Sequence, residues 1–224
     1  MKRLWIALLC LALCAPWTAG LSEEAQAEGG SGDFSYELMG DGAARITGYS
    51  GEGGALEIPA ELDGYPVTVI GREAFYQCAG LTSATIPAGV ERIEASAFYG
   101  CEALASVELP AGLKGVGIGA FKNCESLASV ELSNGVEMID VDAFSNCRAL
   151  TGVVIPDGVT RIRTWAFKNC ESMVSATIPD SVTEMEDEIF DGCPDLTVVA
   201  SQGSAAQIYC AENGIRCEAP DAEG

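Results

Sequence analysis

From residue 81 onward the apolar positions recur in a fixed order. Leu81, Ala84, Ile86, Val90, Ile93, the pair Ala97-Phe98 and Cys101 are followed by Leu104, where the order begins again. The stretch Leu81-x-x-Ala84-x-Ile86 alternates apolar with polar positions over a length suited to one short strand. Pro87 closes it, because proline donates no ladder hydrogen bond. The Ala-Phe pair and the cysteine four residues after its alanine predict a single helical or 3₁₀ turn that carries the chain back.

The order repeats without insertion or deletion. Cys78, Cys101, Cys124, Cys147, Cys170 and Cys193 are each 23 residues apart, and the Ala-Phe pairs from Ala74-Phe75 to Ala166-Phe167 keep the same step, closing with Ile189-Phe190. Leu81, Leu104, Leu127, Leu150, Met173 and Leu196 each stand three residues after a cysteine. The strand-end residues Ile86, Leu109, Leu132, Ile155 and Ile178 are followed by proline except at Leu132, where Ser133 stands. One unit has too few apolar side chains to bury them alone, whereas stacked units share a continuous core. Neighbouring strands lie about 4.8 Å apart, so six units predict a body roughly 30 Å long. The expected architecture is an α/β-type, right-handed repeat solenoid.

These residues carry a resemblance. The sequence L-x-x-(V/A)-x-(I/L)-P, then V-x-x-I, then A-F-x-x-C, resembles the BspA-like leucine-rich repeats of bacterial secreted and surface proteins, over residues 58–217. Ile58-Pro59, Leu62 to Val67 and Ile70-Gly71 look like that family's longer opening unit. The resemblance implies short parallel strands on a concave face and an extracellular binding or adhesion role. It names no ligand. An open, shallow sheet offers no pocket for a substrate, so no catalysis is expected.

The ends read differently from the middle. Met1-Lys2-Arg3, the apolar run Leu4 to Ala15 and the small residues of Ala25-Gln26-Ala27 predict a secretory signal peptide over 1–27, cleaved after Ala27. Thr18-Ala19-Gly20 is a nearer alternative, and lipidation at Cys14 a rival reading. Residues 28–57 are expected as a linker and a capping hairpin, Phe34 to Leu38 with Ala43 to Tyr49 around Gly40-Asp41-Gly42. The solenoid is expected over 58–201. A cap follows over 202–217, with a capping box at Ser204 and Gln207, an apolar helix face of Ala205, Ile208, Tyr209 and Ala211, a stop at Asn213-Gly214 and a last strand near Ile215 to Cys217. Glu28 to Gly32 and residues 218–224 are expected to be disordered.

Composition narrows the function. The 224 residues hold 12 Lys and Arg against 33 Asp and Glu, with no His, for a net charge of −21. Phosphate backbones repel such a chain, so nucleic acid is not an expected partner. The absence of His removes Ser-His-Asp and Cys-His catalysis. Past residue 27 no stretch is long and apolar enough to span a membrane. A secreted or cell-surface monomer without a cofactor or metal is expected, with an extracellular protein or glycan as partner. A structural spacer without a tight ligand is the competing reading.

Two sets of residues carry candidate chemistry. The six repeat cysteines are expected as a buried ladder: parallel Cβ vectors about 5 Å apart suit a disulfide poorly, and no C-x-x-C spacing suits zinc. Cys210 and Cys217 fall outside the period and either bond or pack. The strand-face positions Ser83, Thr85, Ser106, Glu108, Ser129, Glu131, Ser175 and Thr177 point outward and form the candidate binding face, with Gly152, Val154, Val198 and Ala200 completing the two columns. Glu108 and Glu131 are expected side by side, either recognising a cation or a basic side chain, or simply solvated. The acidic group Glu184, Glu186, Asp187, Glu188 and Asp191 is expected as a solvated face, since it lacks the spacing of a calcium loop.

Overall fold

The computed structural model describes residues 28–220. The expected signal peptide, its cleavage site and Cys14 lie outside those residues, as does the tail from 221. In chain order the elements are β1 (Glu28–Ser31), β2 (Phe34–Leu38), β3 (Ala44–Tyr49), β4 (Gly54–Glu57), β5 (Glu61–Leu62), β6 (Tyr65–Ile70), β7 (Leu81–Thr85), β8 (Arg92–Ile93) and β9 (Ser106–Glu108). There follow β10 (Gly115–Val116), β11 (Ser129–Val130), β12 (Met138–Ile139), β13 (Gly152–Val154), β14 (Arg161–Ile162), β15 (Ser175–Thr177), β16 (Glu184–Met185), β17 (Thr197–Val199), α1 (Ala205–Asn213) and β18 (Arg216–Glu218).

Each coil contributes two strands instead of the single strand read from the sequence. β6, β8, β10, β12, β14 and β16 pair in parallel as one ladder, and β4, β7, β9 and β11, then β13, β15, β17 and β18, line a second flank. The V-x-x-I positions make the first of these: Ile93, Val116, Ile139 and Ile162 lie in register and are buried. The result is a parallel β-solenoid.

The return arm contains no helix. Its amides alternate between two kinds of partner. Around Phe121, Gly119, Phe121 and Asn123 donate to Val141, Ala143 and Ser145 of the next coil at 2.8–2.9 Å, while Ala120, Lys122 and Cys124 donate three residues back within their own coil. Consecutive β-turns therefore replace the expected helical turn, and every second amide binds the neighbouring coil. Such a path needs left-handed residues at two places per coil. The residue before each cysteine (Gln77, Gly100, Asn123, Asn146, Asn169 and Gly192) has φ between 55° and 77°, and the residue before each Ala-Phe position (Glu73, Ser96, Gly119, Asp142, Trp165 and Glu188) has φ between 54° and 62°. A non-glycine residue there costs about 1–2 kcal/mol. The turn it permits brings a phenylalanine inside, which stabilises by roughly 1.5–3 kcal/mol on full burial. At the first position Asn146 donates to Asn123 at 2.6 Å and Asn169 to Asn146 at 2.8 Å, a side-chain ladder that further offsets the cost.

The core is a set of columns. Phe75, Phe98, Phe121, Phe144 and Phe167 are fully buried, and successive rings from Phe75 to Phe190 stack at 4.7–5.6 Å with planes within 11° of parallel. Aromatic side chains close both ends of this file. Phe34 and Tyr49 pack on Phe75, and Tyr209 meets Phe190 edge-on at 6.4 Å.

Both caps differ in detail from expectation. Residues 28–31 form strand β1 along β2, extending the hairpin to three antiparallel strands where a loose segment was expected. In α1, Ser204 Oγ accepts from the Gln207 amide at 3.2 Å, one half of the capping box, while the Gln207 side chain accepts from the Gly203 amide at 2.6 Å instead of from that of Ser204. The buried face is Ala206, Tyr209 and Cys210, and Ile208 is exposed. The helix is set by Tyr209, whose hydroxyl accepts from the Ile189 amide at 2.9 Å. β18 pairs with β17 up to Glu218, so the expected tail begins inside the sheet.

Candidate functional site

The second flank presents the expected strand face. Ala84, Val107, Val130, Val153 and Ala176 point inward and are buried, so their neighbours point out. Register places Ser83 beside Ser106 and Thr85 beside Glu108, with Ser106 beside Ser129. Ser175 and Thr177 sit beside Gly152 and Val154. Glu131 follows the end of β11, and it lines one open groove of about 360 Å³ together with Glu108. Thr85 Oγ1 donates to Glu108 Oε2 at 3.4 Å.

Two columns end differently from expectation. Thr197 and Val199 occupy the last outward places, and Val198 and Ala200 are buried. After Leu196 the coil is one residue shorter, which moves every following side chain to the opposite face. At the other end Glu57 pairs with Thr85 and adds a carboxylate to the Glu108 column. Sequence reading anchored on the cysteines missed it, although Leu56-Glu57-Ile58-Pro59 carries the strand-end pattern.

The flank along the first ladder is closed by ion pairs between coils. Arg163 lies between Asp140 at 2.9 Å and Glu186 at 3.1 Å, one coil to either side. Lys168 reaches Glu188 at 3.2 Å and Asp191 at 2.9 Å, and Arg161 pairs with Glu184. Glu184, Glu186, Glu188 and Asp191 of the last coil's acidic group thus pair with the coil before it, while Glu184, Glu188 and Asp191 keep more than half of their side-chain surface exposed, as a solvated face does. The Thr164 amide and hydroxyl donate to Glu186 and hold its carboxyl below the ordinary value. The Trp165 indole, then Lys168, lower Glu188 in the same way. Hydrogen bonds to these carboxylates raise Arg161, Arg163 and Lys168.

The cysteines form the expected file. Cys101, Cys124, Cys147 and Cys170 are buried, while Cys78 and Cys193 at the two ends are half-buried. Each thiol from Cys101 to Cys193 donates to the carbonyl of the phenylalanine in the preceding coil at 3.1–3.3 Å. A small hydrophobe with a weak donor therefore suits the column better than alanine or valine would. Burial pushes the Cys147 thiol up to about 12. The thiols of Cys210 and Cys217 are free as well. Among the described residues no group of three or more His, Cys, Asp or Glu is placed to hold a metal ion.

The fold is a parallel β-solenoid of leucine-rich repeats. The chain belongs to the family of the BspA type leucine rich repeat region, six copies of which match residues 68–197. Among solved structures it is similar to the leucine-rich repeat protein of T. pallidum, at 29% identity and a TM-score of 0.69, covering 86% of this chain and 98% of that one. It is also similar to a leucine-rich cell surface protein of Faecalibacterium prausnitzii A2-165, at 28% identity and a TM-score of 0.63, covering 80% of this chain and 56% of that one. The pneumococcal vaccine antigen PcpA shares the fold, with a TM-score of 0.68 at 21% identity over 80% of this chain and 51% of that one. No curated protein sequence matches the chain. Among the described residues no helix is long and apolar enough to cross a membrane.

Proposed function

We propose that the protein is an exported scaffold, secreted or held at the cell surface, which binds a protein or glycan partner on its strand face and does no catalysis. The observation that carries this reading is the contrast between the two flanks. Along the first ladder, arginines and lysines pair with carboxylates of adjacent coils. On the strand face the outward residues are mostly short and polar, and from Leu81 to Pro87 and its equivalents through Pro179 no Lys or Arg occurs. A flank of short side chains over a rigid stack lets a partner approach the backbone closely, as in other repeat proteins. Export is supported by the pattern of residues 1–27 and by this chain's likeness to a leucine-rich cell surface protein.

The test is capture of an extracellular partner by the folded protein and by a variant with Ser106→Trp, Ser129→Trp and Thr177→Trp. Ser106 and Ser129 are exposed and Thr177 is half-buried on the same outward column, so the variant should fold with unchanged far-ultraviolet circular dichroism. Loss of the partner in the variant alone supports the strand face. Equal capture by both proteins overturns it, and a chain that captures nothing points to a spacer.

A further inference from the structure

The strand-face ladder is open in the middle of the molecule. In the flanking coils the amide just past the strand donates to the next coil: Ile86 to Glu108 at 3.1 Å, Ile155 to Thr177 at 2.9 Å and Ile178 to Val199 at 2.9 Å. Leu109 and Leu132, in the two coils between, make no such bond among the described residues. β11 and β13 share no ladder, and the Thr151 amide, donating to the Ala128 carbonyl at 3.2 Å, is the backbone bond that crosses there. Side chains follow the backbone. Ile86, Ile155 and Ile178 are buried, whereas Leu109 and Leu132 are only half-buried. Two open grooves, of about 360 and 500 Å³, lie at this place, and Glu131 lines both.

We propose that this opening docks an extended, cationic segment of a partner protein. The inference rests on the strand-face reading above and gives that partner its chemistry. An extended chain laid over the two grooves alternates its side chains, so that every second one can enter them while the others face the carboxylates. Aliphatic side chains would cover the half-buried leucines and Val154, which is 66% exposed. The remaining side chains meet Glu108 and Glu131, both exposed and paired with no cation among the described residues. With a net charge of −21 and no Lys or Arg on this face, the protein repels an acidic segment and steers a basic one toward it.

The test uses the full chain and three synthetic peptides, alternating Lys with Val, Ser with Val and Glu with Val. The Lys–Val peptide should bind about tenfold more tightly than the Ser–Val peptide and weaken between about 50 and 200 mM salt. Its binding should shift the amide resonances of Leu109 and Leu132. The Glu108→Gln, Glu131→Gln double variant should lose about tenfold in affinity and most of the salt dependence. No binding of the Lys–Val peptide, equal binding by the double variant, or shifts confined to residues 184–191 would each overturn the inference. If the peptide fails while the tryptophan variant still loses its captured partner, the cationic docking site is wrong and the strand-face reading stands.

Discussion

The thiol of Cys147 donates to the carbonyl of Phe121, 26 residues earlier, at 3.2 Å. That carbonyl already accepts the Cys124 amide of its own coil, so one oxygen joins two coils at the centre of the stack. Cys147→Ala should remove the thiol bond and leave a small void, destabilising the protein by about 1–2 kcal/mol in denaturant titration. An unchanged midpoint in that variant would mean that neither the thiol bond nor the volume of the sulfur stabilises the stack.

The same thiol makes stability depend on alkaline pH. Its proton is held to about pH 12 in the fold, against an ordinary value of 9.0, so the unfolded chain releases it first. The contribution of the neutral buried thiol is complete below about pH 9 and is lost as pH rises toward 12. Denaturant midpoints measured across that range should fall in the wild type and fall less in Cys147→Ala.

Phe121 is fully buried between two parallel neighbours, at 5.1 Å from Phe98 and 5.4 Å from Phe144. Phe121→Ala should cost about 3–5 kcal/mol. Because each coil touches only its neighbours, the damage should uncouple the two halves of the stack and broaden or divide the thermal transition. A single sharp transition displaced by less than about 1 kcal/mol would contradict this packing.

Asn146 holds a left-handed backbone, with φ at 61°, and bonds the asparagines of both adjacent coils. Asn146→Gly keeps the backbone comfortable and loses only the side-chain bonds, for roughly 1–2 kcal/mol. Asn146→Ala loses the same bonds and adds left-handed strain, about 1 kcal/mol more. Thermal unfolding of the pair should therefore rank Gly above Ala, the reverse of the order in a helix.

Amide exchange should single out the opened coils. Leu109 and Leu132 should exchange faster than Ile86, Ile155 and Ile178, whose amides are bonded to the next coil. Equal protection at all five positions would show the strand flank to be closed throughout.

The columns were legible because a fixed step admits one explanation. Phe75 to Phe190 and Cys78 to Cys193 recur at the same interval, and only stacking places them together. The second strand of each coil was not legible, since V-x-x-I carries only two ladder residues and no alternation. The left-handed positions escaped for another reason: Glu73, Ser96, Trp165 and Glu188 share a backbone angle and no chemistry. At the strand face, seven of the eight candidate positions lie in register within β7, β9, β11 and β15, and Glu131 follows the end of β11. The last coil misled because the unbroken apolar run Val198-Val199-Ala200 has no phase of its own. The opening at Leu109 and Leu132 had one visible trace, the Glu-Leu pair that replaces Thr-Ile at the strand end.

Alternating amides in the return arm bear on how such a molecule can change in length. A coil commits half its turn amides to the coil beside it, so it is never finished by itself. Yet what it asks of that neighbour is the same at every step, from Phe75 to Phe167. A whole coil copied or deleted inside the array leaves the bonding of the return arm as it was, and only the two aromatic lids are irreplaceable. Duplication could thus lengthen the protein in single steps without redesigning its interior.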